Sequence, residues 1–504
     1  MKTRHFLLLP FSFLLWATPI APAQEVFYHE TFNWRNDSDP KGWKAPEGFY
    51  MEDPNDTGFN WHWWPNDSLV SSWTAEPPFQ STTKADGHLC LFAALYNDYR
   101  VLPDCSPVNN SIVFPVIDCS AHSSVILQFE TNFKNFGVQG SLGRAGYWSC
   151  LVEVSGDGGY HWTQFNAGFN SPGSGRPNDI APGEVAIFRE NISEIAAGSP
   201  YVMIRITWYN YFGLYFWIID DLQLSEARPN DLRLNYFDLQ WKNNIEQTNE
   251  SVSYMMPISQ LGKGQAFHIF NSGVTNMGAT EATNLVFDVT IRHEEEIVFS
   301  EAKTIPSLKP GYIDTLFLDG EYEPTEKGSY SIRFNWKQDQ EDDYPEDNER
   351  TIYFQVSDSV YNRAGDQPDG TFSSGNVRYV RDEWSLHANV NHFMGSVFPI
   401  YGDCEIEGIS AYIMGGLADG LIDFDFMVWQ ADYYQLEERI TPTFLLRTEG
   451  LFLDSTMFNT WVYMPFSKDG ESEFIKAGSL LWAGIEYSNW HPDEIDRRDK
   501  GLTV

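Results

Sequence analysis

The stretch Val202-Met203-Ile204-Arg205-Ile206-Thr207-Trp208 indicates the fold class. Every second residue from Val202 to Trp208 is apolar, and Arg205 and Thr207 fall between the apolar positions. Successive side chains of a β-strand point to opposite faces of the sheet, so this period of two predicts a strand with one apolar face. Such a face must be buried against another layer, which predicts sheet packed on sheet.

The same alternation recurs along the chain, for example in Leu285–Ile291 and Tyr330–Trp336, while long helical patterns are missing. Aromatic residues make up 16% of the chain, a composition that favours strands. Polar stretches at Arg228–Asp231 and Asp358–Asp369 separate three β-rich segments, at 25–228, 232–357 and 370–504. We therefore predict an all-β chain, with a jelly-roll sandwich followed by an immunoglobulin-like sandwich and a further β-sandwich.

The first 24 residues have the composition of a signal peptide. Lys2 and Arg4 precede the apolar run Phe6–Ala17, and Ala21-Pro22-Ala23 supplies the small residues of a cleavage site. About twelve apolar residues at roughly 1.5 Å each are too short for a hydrocarbon core of about 30 Å. We therefore expect a secreted protein, extracellular or on the outer surface of a Gram-negative bacterium, with no transmembrane segment in the mature chain.

The chain is strongly acidic, with 70 Asp and Glu against 33 Lys and Arg and a formal net charge of −37. This charge excludes a large nucleic-acid-binding surface, because phosphate groups would be repelled. Two interpretations of the acidity stay open, namely solubility and the binding of divalent cations.

The five cysteines leave the disulfide pairing open, although an exported protein can form disulfides. They are Cys90, Cys105, Cys119, Cys150 and Cys404. Four of them lie in the first segment and allow three pairings, and no spacing of cysteine and histidine indicates a zinc site.

Motifs in the first segment carry a family resemblance. They are Glu30-Thr31-Phe32 with Trp43, then Ser155-Gly156-Asp157-Gly158-Gly159 with Trp162, then Trp217-Ile218-Ile219-Asp220-Asp221-Leu222. In order and rough spacing the segment resembles the MAM-like jelly rolls, often called choice-of-anchor J domains, of exported Bacteroidota proteins.

The second segment contains Phe270-Asn271-Ser272-Gly273, followed by Gly278, and Asp343–Asn348 before its last strand. These features are similar to those of CARDB-type immunoglobulin-like modules. The resemblance implies a small sandwich in this part of the chain.

The third segment carries Tyr379-Val380-Arg381-Asp382, and Gly395-Ser396 with Phe398. It resembles sandwich domains that accompany substrates of type IX secretion. Such substrates end in a sorting domain, whereas this chain closes on Gly501-Leu502-Thr503-Val504, which reads like the start of a strand. We therefore expect the third sandwich to be incomplete.

The jelly-roll resemblance implies a structural calcium ion, because such domains often join their first strand, a nearby loop and their last strand through one. It makes Glu30, Asp86 and Asp221 the candidate ligands, with Asp220 as a substitute, and calcium prefers such hard oxygen ligands. Since Asp220 and Asp221 are adjacent in an apolar strand, we expect them to face opposite sides. The alternative is that one caps a turn and the other meets an arginine.

The strongest binding feature is Asn60-Trp61-His62-Trp63-Trp64-Pro65, which lies in a polar, proline-rich region. Aromatic rings exposed on a loop stack against sugar rings, and exposed aromatic clusters mark interaction sites. The candidate ligand-binding residues are Trp61, Trp63 and Trp64, with Tyr209 and Tyr211 as a weaker pair. The alternative is that these tryptophans cover the core beneath a long loop.

Catalytic motifs are missing from the sequence. The run Ser155–Trp162 fits the Asp-box pattern, but sialidases carry several copies and this chain has one, so we interpret it as a structural hairpin. There is no HExxH and no GxSxG, although a pair of carboxylates from any two strands stays possible. We predict a protein that is not an enzyme and that serves recognition or adhesion, binding glycans or surface proteins through jelly-roll loops. The alternatives are the accessory part of a secreted hydrolase whose catalytic part is missing, and a structural surface or matrix component.

Overall fold

The computed structural model describes residues 25–56, 58, 60–71, 75–95, 108–135, 148–168, 183–210, 215–241, 255–263, 266–362, 378–380, 391–413, 423–430, 443–447, 451–452, 460–466 and 473–488. The expected signal peptide, 1–24, lies outside these residues. Strands carry almost all of the regular structure, which confirms the all-β prediction. Within the described ranges, no helix is long and apolar enough to cross a membrane.

The chain divides into two compact units. The first comprises residues 1–172, 182–231 and 277–280, and the second comprises 173–181, 232–276 and 281–504. Short helical elements connect some of the strands. They are α1 (Ser193–Ala196) and 3₁₀ helices at Lys84–Asp86, Ala93–Leu95, Ile258–Gln260 and Pro345–Asp347.

The strands of the first unit are β1 (Val26–Glu30), β2 (Tyr50–Glu52), β3 (His62–Trp64), β4 (Leu69–Val70), β5 (Ala75–Glu76), β6 (His88–Phe92), β7 (Val108–Val113), β8 (Ile126–Lys134), β9 (Trp148–Ser155), β10 (Thr163–Asn166), β11 (Ala186–Asn191), β12 (Met203–Asn210) and β13 (Phe216–Ser225). One sheet has the order β11-β8-β13-β6-β3, with β1 also paired to β13. A second, five-stranded sheet has the order β10-β9-β12-β7-β2, and β4 pairs with β5.

Alternate residues of these strands form the core of the first unit. In β12, Ile204, Ile206 and Trp208 are fully buried, as the alternation predicted. Trp217 of β13 is also fully buried, and its indole N–H donates to the Thr131 hydroxyl at 2.8 Å. The hydrogen bond removes the cost of burying a polar N–H among apolar side chains.

The strands of the second unit are β14 (Leu232–Trp241), β15 (Met255–Pro257), β16 (Phe267–Asn276), β17 (Ala282–His293), β18 (Glu296–Leu308), β19 (Ile313–Tyr322), β20 (Gly328–Lys337), β21 (Glu349–Ser357), β22 (Arg378–Val380), β23 (Asn391–Pro399), β24 (Cys404–Ile406), β25 (Gly408–Ile413), β26 (Asp423–Gln430), β27 (Thr443–Arg447), β28 (Leu451–Phe452), β29 (Thr460–Pro465), β30 (Glu473–Ile475) and β31 (Leu480–Ser488). Sheets β14-β16-β19 and β15-β21-β20-β17-β18 contribute to one large core cluster, which includes Phe287 and Trp336. The later strands form β22-β23-β31-β26-β27, with β28 on β26, and the pairs β24-β30 and β25-β29.

The earlier and later parts of the second unit are joined by a buried amide. The Gln260 side chain, 1% exposed, accepts from the backbone N–H groups of Tyr401 and Gly402 and donates to the Gly402 carbonyl. Tyr401 packs into the same large core cluster as Phe287 and Trp336. The two parts therefore share packing as well as hydrogen bonds.

Candidate functional site

The aromatic segment that the sequence favoured as a ligand-binding loop contains a strand. His62–Trp64 forms β3 and pairs with β6, so the expectation of a loop is wrong. Trp61 is 1% exposed, its ring packs edge-on against Trp217, and its indole N–H donates to the Asn110 carbonyl. A buried ring has no face to offer a ligand, so the structure contradicts Trp61 as a binding residue. It supports the alternative that this tryptophan belongs to the core.

Trp63 and Trp64 are half-buried and are also held by backbone carbonyls. The Trp63 indole donates to the Asp86 carbonyl at 3.0 Å and the Trp64 indole to the Asp67 carbonyl at 3.3 Å. Gly87, at φ +86°, permits this approach, because a Cβ there would lie 2.4 Å from Nε1 of Trp63. One side of each indole ring therefore packs against the protein.

The two tyrosines proposed for ligand binding have different outcomes. Tyr209 is half-buried on β12, and Tyr211 lies outside the described residues.

The four described cysteines, Cys90, Cys119, Cys150 and Cys404, are free thiols.

Three of the carboxylates proposed for calcium, those of Glu30, Asp220 and Asp221, accept hydrogen bonds from other groups of the first unit. One oxygen of Glu30 accepts from the Phe32 backbone N–H at 2.7 Å and from the Trp34 indole at 3.2 Å. Asp86 ends the short 3₁₀ helix before Gly87. Within the described ranges, no three His, Cys, Asp or Glu side chains form a group able to hold a metal ion. Calcium at Glu30, Asp86, Asp220 and Asp221 stays a prediction.

Asp220 and Asp221 do not face opposite sides, because a bulge interrupts β13 at this point. The register shifts between Asp220 and Gln223, and Asp221 has φ +50°. Both carboxylates consequently accept hydrogen bonds from one segment, Asp220 from the Ser81 hydroxyl at 2.5 Å and Asp221 from the Thr83 backbone N–H at 2.8 Å. The expectation based on strict alternation is therefore wrong.

A third carboxylate, Glu130, lies opposite Asp220 on β8 and accepts from the backbone and hydroxyl of Thr82. Burial, opposed by the Ser81 hydrogen bond and reinforced by Asp221 and Glu130, raises the pKa of Asp220 to about 8. Asp220 is therefore mostly a neutral acid at pH 7. A protonated carboxyl on Asp220 relieves its repulsion by the buried carboxylate of Asp221 and the half-buried carboxylate of Glu130.

The outer face of the five-stranded sheet carries a group of polar side chains that the sequence did not single out. The strand register places Gln164, Glu153, Arg205 and Val113 in one row across neighbouring strands. Two residues further along β12, and on the same face, Thr207 lies opposite Ser111 of β7. Side chains directly opposite in register share a face of the sheet. We call the following residues the polar patch: Gln164, Glu153, Arg205, Thr207 and Ser111.

The centre of the polar patch is a forked ion pair. Arg205 donates from Nε to Oε2 of Glu153 at 2.6 Å and from Nη2 to Oε1 at 2.8 Å. The Thr207 hydroxyl donates to Glu153 at 3.0 Å, and Gln164 donates to it at 2.9 Å. Oxygens of Ser111 and Thr207 lie 2.8 Å apart. Every member of the patch is thus fixed by at least one neighbour.

The polar patch keeps its charges despite partial burial. Burial alone would raise the pKa of Glu153, but hydrogen bonds from Arg205 and Gln164 outweigh burial and hold it below its usual value. The same contact with Glu153 raises the pKa of Arg205. Glu153 is 4% exposed and Thr207 8%, although both lie on the outer face. The patch is therefore a charged floor in which Glu153 and Thr207 are largely buried and the Arg205 side chain is 24% exposed.

Aromatic side chains flank this floor. The Arg205 guanidinium lies 4.4 Å from the ring centre of Trp162, within the range of a cation–π contact. Trp162 is positioned by the Asp-box turn, where Asp157 accepts from the His161 backbone and the Trp162 indole donates to the Gly159 carbonyl. On the other side, Tyr50 of the edge strand β2 is 48% exposed.

One signal for the polar patch was present in the sequence. Arg205 and Thr207 are the polar members of the alternation that predicted β12, and Glu153 stands between Val152 and Val154. What the sequence could not supply is the register that places Glu153 beside Arg205.

No family model matches the sequence, and no curated protein matches it. Similar solved structures include the K1 cleaved adhesin domain of Lys-gingipain from Porphyromonas gingivalis W83, at 13% identity, 40% of this chain, 97% of that chain and a TM-score of 0.25. A putative β-galactosidase from Bacteroides fragilis matches at 11% identity, 61% of this chain, 41% of that chain and a TM-score of 0.24.

A CARDB domain from Pyrococcus furiosus, in complex with di-metal ions, matches at 14% identity, 26% of this chain, 95% of that chain and a TM-score of 0.18. At these identities and TM-scores the three likenesses carry no conclusion about activity or ligand. The MAM-like and CARDB-type assignments and the type IX route therefore stay predictions.

Proposed function

We propose that this chain is a secreted or surface-located protein of recognition or adhesion, which binds a glycan or another surface protein without catalysis. The observation that supports the proposal is the polar patch. A buried ion pair is weak evidence for stability, because desolvation offsets the attraction between the charges. A forked Arg205–Glu153 pair on the outer face of a sheet, with hydroxyls beside it, is better explained as a preformed binding surface.

The serine, aspartate and histidine of the Asp-box turn are bonded to one another in a structural arrangement. The Ser155 hydroxyl donates to Asp157 at 2.8 Å, and Nδ1 of His161 lies 2.6 Å from the other oxygen of Asp157. A serine nucleophile needs its base within hydrogen-bond reach, whereas here the carboxylate takes the place of the base. These three residues therefore stabilise the turn and do not form a nucleophilic triad.

The test is a binding screen of the full chain against an array of glycans and deglycosylated extracellular-matrix proteins. We expect saturable binding to at least one of them, with no product released. Absence of binding across the array would contradict the proposal. Turnover of an arrayed glycan or protein would contradict its non-catalytic part and favour the hydrolase alternative.

A further inference from the structure

We infer that the polar patch binds an uncharged oligosaccharide. The inference rests on the proposed function, since it names the class of ligand that the same face takes. It moves the site away from the aromatic segment 60–65, where Trp61 is buried and Trp63 and Trp64 are half-buried, and onto the face of the five-stranded sheet.

The hydrogen-bonding groups of the patch have capacity left for a ligand. Arg205 uses Nε and Nη2 on Glu153, while its Nη1 lies 3.8 Å from Glu52, beyond hydrogen-bond length. The Thr207 hydroxyl donates to Glu153 and the Ser111 hydroxyl donates to Thr207, so both protons are used and the pair offers its remaining acceptor lone pairs. Sugar hydroxyls both donate and accept, so they match a floor that presents donors and acceptors side by side.

Apolar surface lies next to these polar groups. The exposed ring of Tyr50 is in the same register row as Val113 and Arg205, and half-buried Leu151 lies opposite Thr207. A sugar ring has an apolar face of C–H groups and a rim of hydroxyls. The patch can therefore contact the face through Tyr50 and the rim through Arg205 and Thr207.

The charge of the site excludes acidic sugars. Two carboxylates, Glu52 and Glu153, surround one guanidinium, that of Arg205, so the local charge is −1. The whole chain carries −37. A carboxylated or sulfated glycan would be repelled both at long range and at contact.

The strands beneath the patch also disfavour a peptide. β7, β9 and β12 each pair with a strand on both sides, so their backbone N–H and C=O groups are used within the sheet. Peptides that bind sheets usually add to a free edge through backbone hydrogen bonds. On this face only side chains are offered, which favours a ligand that brings its own hydroxyl groups.

The experiment is titration calorimetry of the full chain with neutral oligosaccharides (gluco-, manno-, galacto- and xylo-tetraoses), an acidic oligogalacturonate, and the matrix proteins of the array. The variant is Arg205→Lys, which keeps the charge but loses the fork. Arg333→Lys is the matched control, since Arg333 donates from the same two nitrogens, Nε and Nη2, to one oxygen of Glu349 in the second unit. Thr207→Val is a second variant, and the melting temperature of each protein is measured alongside.

We expect binding of at least one neutral tetraose, about tenfold or more weaker in Arg205→Lys and in Thr207→Val, and unchanged in Arg333→Lys. Binding only to oligogalacturonate or to a matrix protein would overturn the inference and leave the proposed function standing. Binding of a neutral sugar that is insensitive to both patch variants, in folded protein, would overturn the assignment of the site. Binding to none of the probes would overturn the proposed function as well.

Discussion

His88 makes the first unit sensitive to acid. Its side chain is completely buried on β6, neither ring nitrogen has a hydrogen-bond partner, and its ring packs edge-on against Phe79. Burial, with a smaller contribution from His62, lowers the pKa of His88 to about 3. The folded protein therefore holds this imidazole neutral under conditions in which the unfolded chain protonates it.

The sign and size of the effect follow from linkage. Because the pKa of His88 is depressed in the folded state, its contribution to stability is fully present above the pKa of an unfolded histidine, about 6.5. This contribution is lost as pH falls toward 3. One pKa unit corresponds to about 1.4 kcal/mol, so keeping His88 buried costs about 2 kcal/mol of unfolding free energy at pH 5 and about 4 kcal/mol at pH 3. A few kcal/mol is a large share of the stability of a domain.

The assay is denaturant unfolding of the full chain, followed by tryptophan fluorescence at pH 7.5 and pH 5. We expect His88→Phe to reduce the difference in unfolding free energy between the two pH values by about 2 kcal/mol. His161→Gln is the control, because the His161 side chain is 91% exposed, and it should leave the difference unchanged. An undiminished pH dependence in His88→Phe would refute the account of this histidine.

Three further predictions concern the first unit. The pKa of Asp220 is raised to about 8, so its contribution to stability is fully present below the pKa of an unfolded aspartate and is lost as pH rises through 8. Between these two pKa values the unfolding free energy falls by about 1.4 kcal/mol per pH unit. Asp220→Asn should flatten this slope in melting curves from about pH 5.5 to about pH 8.5, and an equally steep slope in the variant would contradict the burial argument. If calcium binds at Glu30, Asp86, Asp220 and Asp221, the melting temperature should be higher in calcium than in EDTA. A ligand that binds only the native state adds about 2.7 kcal/mol to the unfolding free energy at 100 times its Kd. Identical melting temperatures would remove the calcium prediction. Trp61→Phe should cost about 1–3 kcal/mol of unfolding free energy, because it loses the hydrogen bond to the Asn110 carbonyl and part of the packing. The ligand affinity of the folded fraction should be unchanged. Weaker binding at full stability would restore Trp61 as a binding residue.

Strands were predictable because their signal is local. The alternation in Val202–Trp208 lies almost entirely within β12, and the alternation in Leu285–Ile291 lies within β17. The aromatic segment 60–65 was misjudged for the opposite reason. It lies in a polar, proline-rich region, and its strand forms through pairing with the buried β6, which is a tertiary effect.

The candidate site was less predictable, because it depends on register and on backbone irregularity. Arg205 and Glu153 are 52 positions apart, and no local pattern reveals that β9 and β12 align them. Asp221 adopts a positive φ without being glycine, so strict alternation failed at the one position where the bulge turns its carboxylate toward Thr83. Sequence periodicity predicts which side chains share a face of a regular strand. The polar patch and the Asp220–Asp221 carboxylates depend instead on how strands pair and on where a bulge interrupts a strand.

A crystal structure of the full chain soaked with the tightest-binding neutral oligosaccharide tests the central claim most directly. The account predicts sugar density on the outer face of the five-stranded sheet, with hydroxyls within hydrogen-bond distance of Arg205 and Thr207 and a ring against Tyr50. Sugar density on the indole rings of Trp63 and Trp64, or elsewhere with the polar patch left bare, would contradict it.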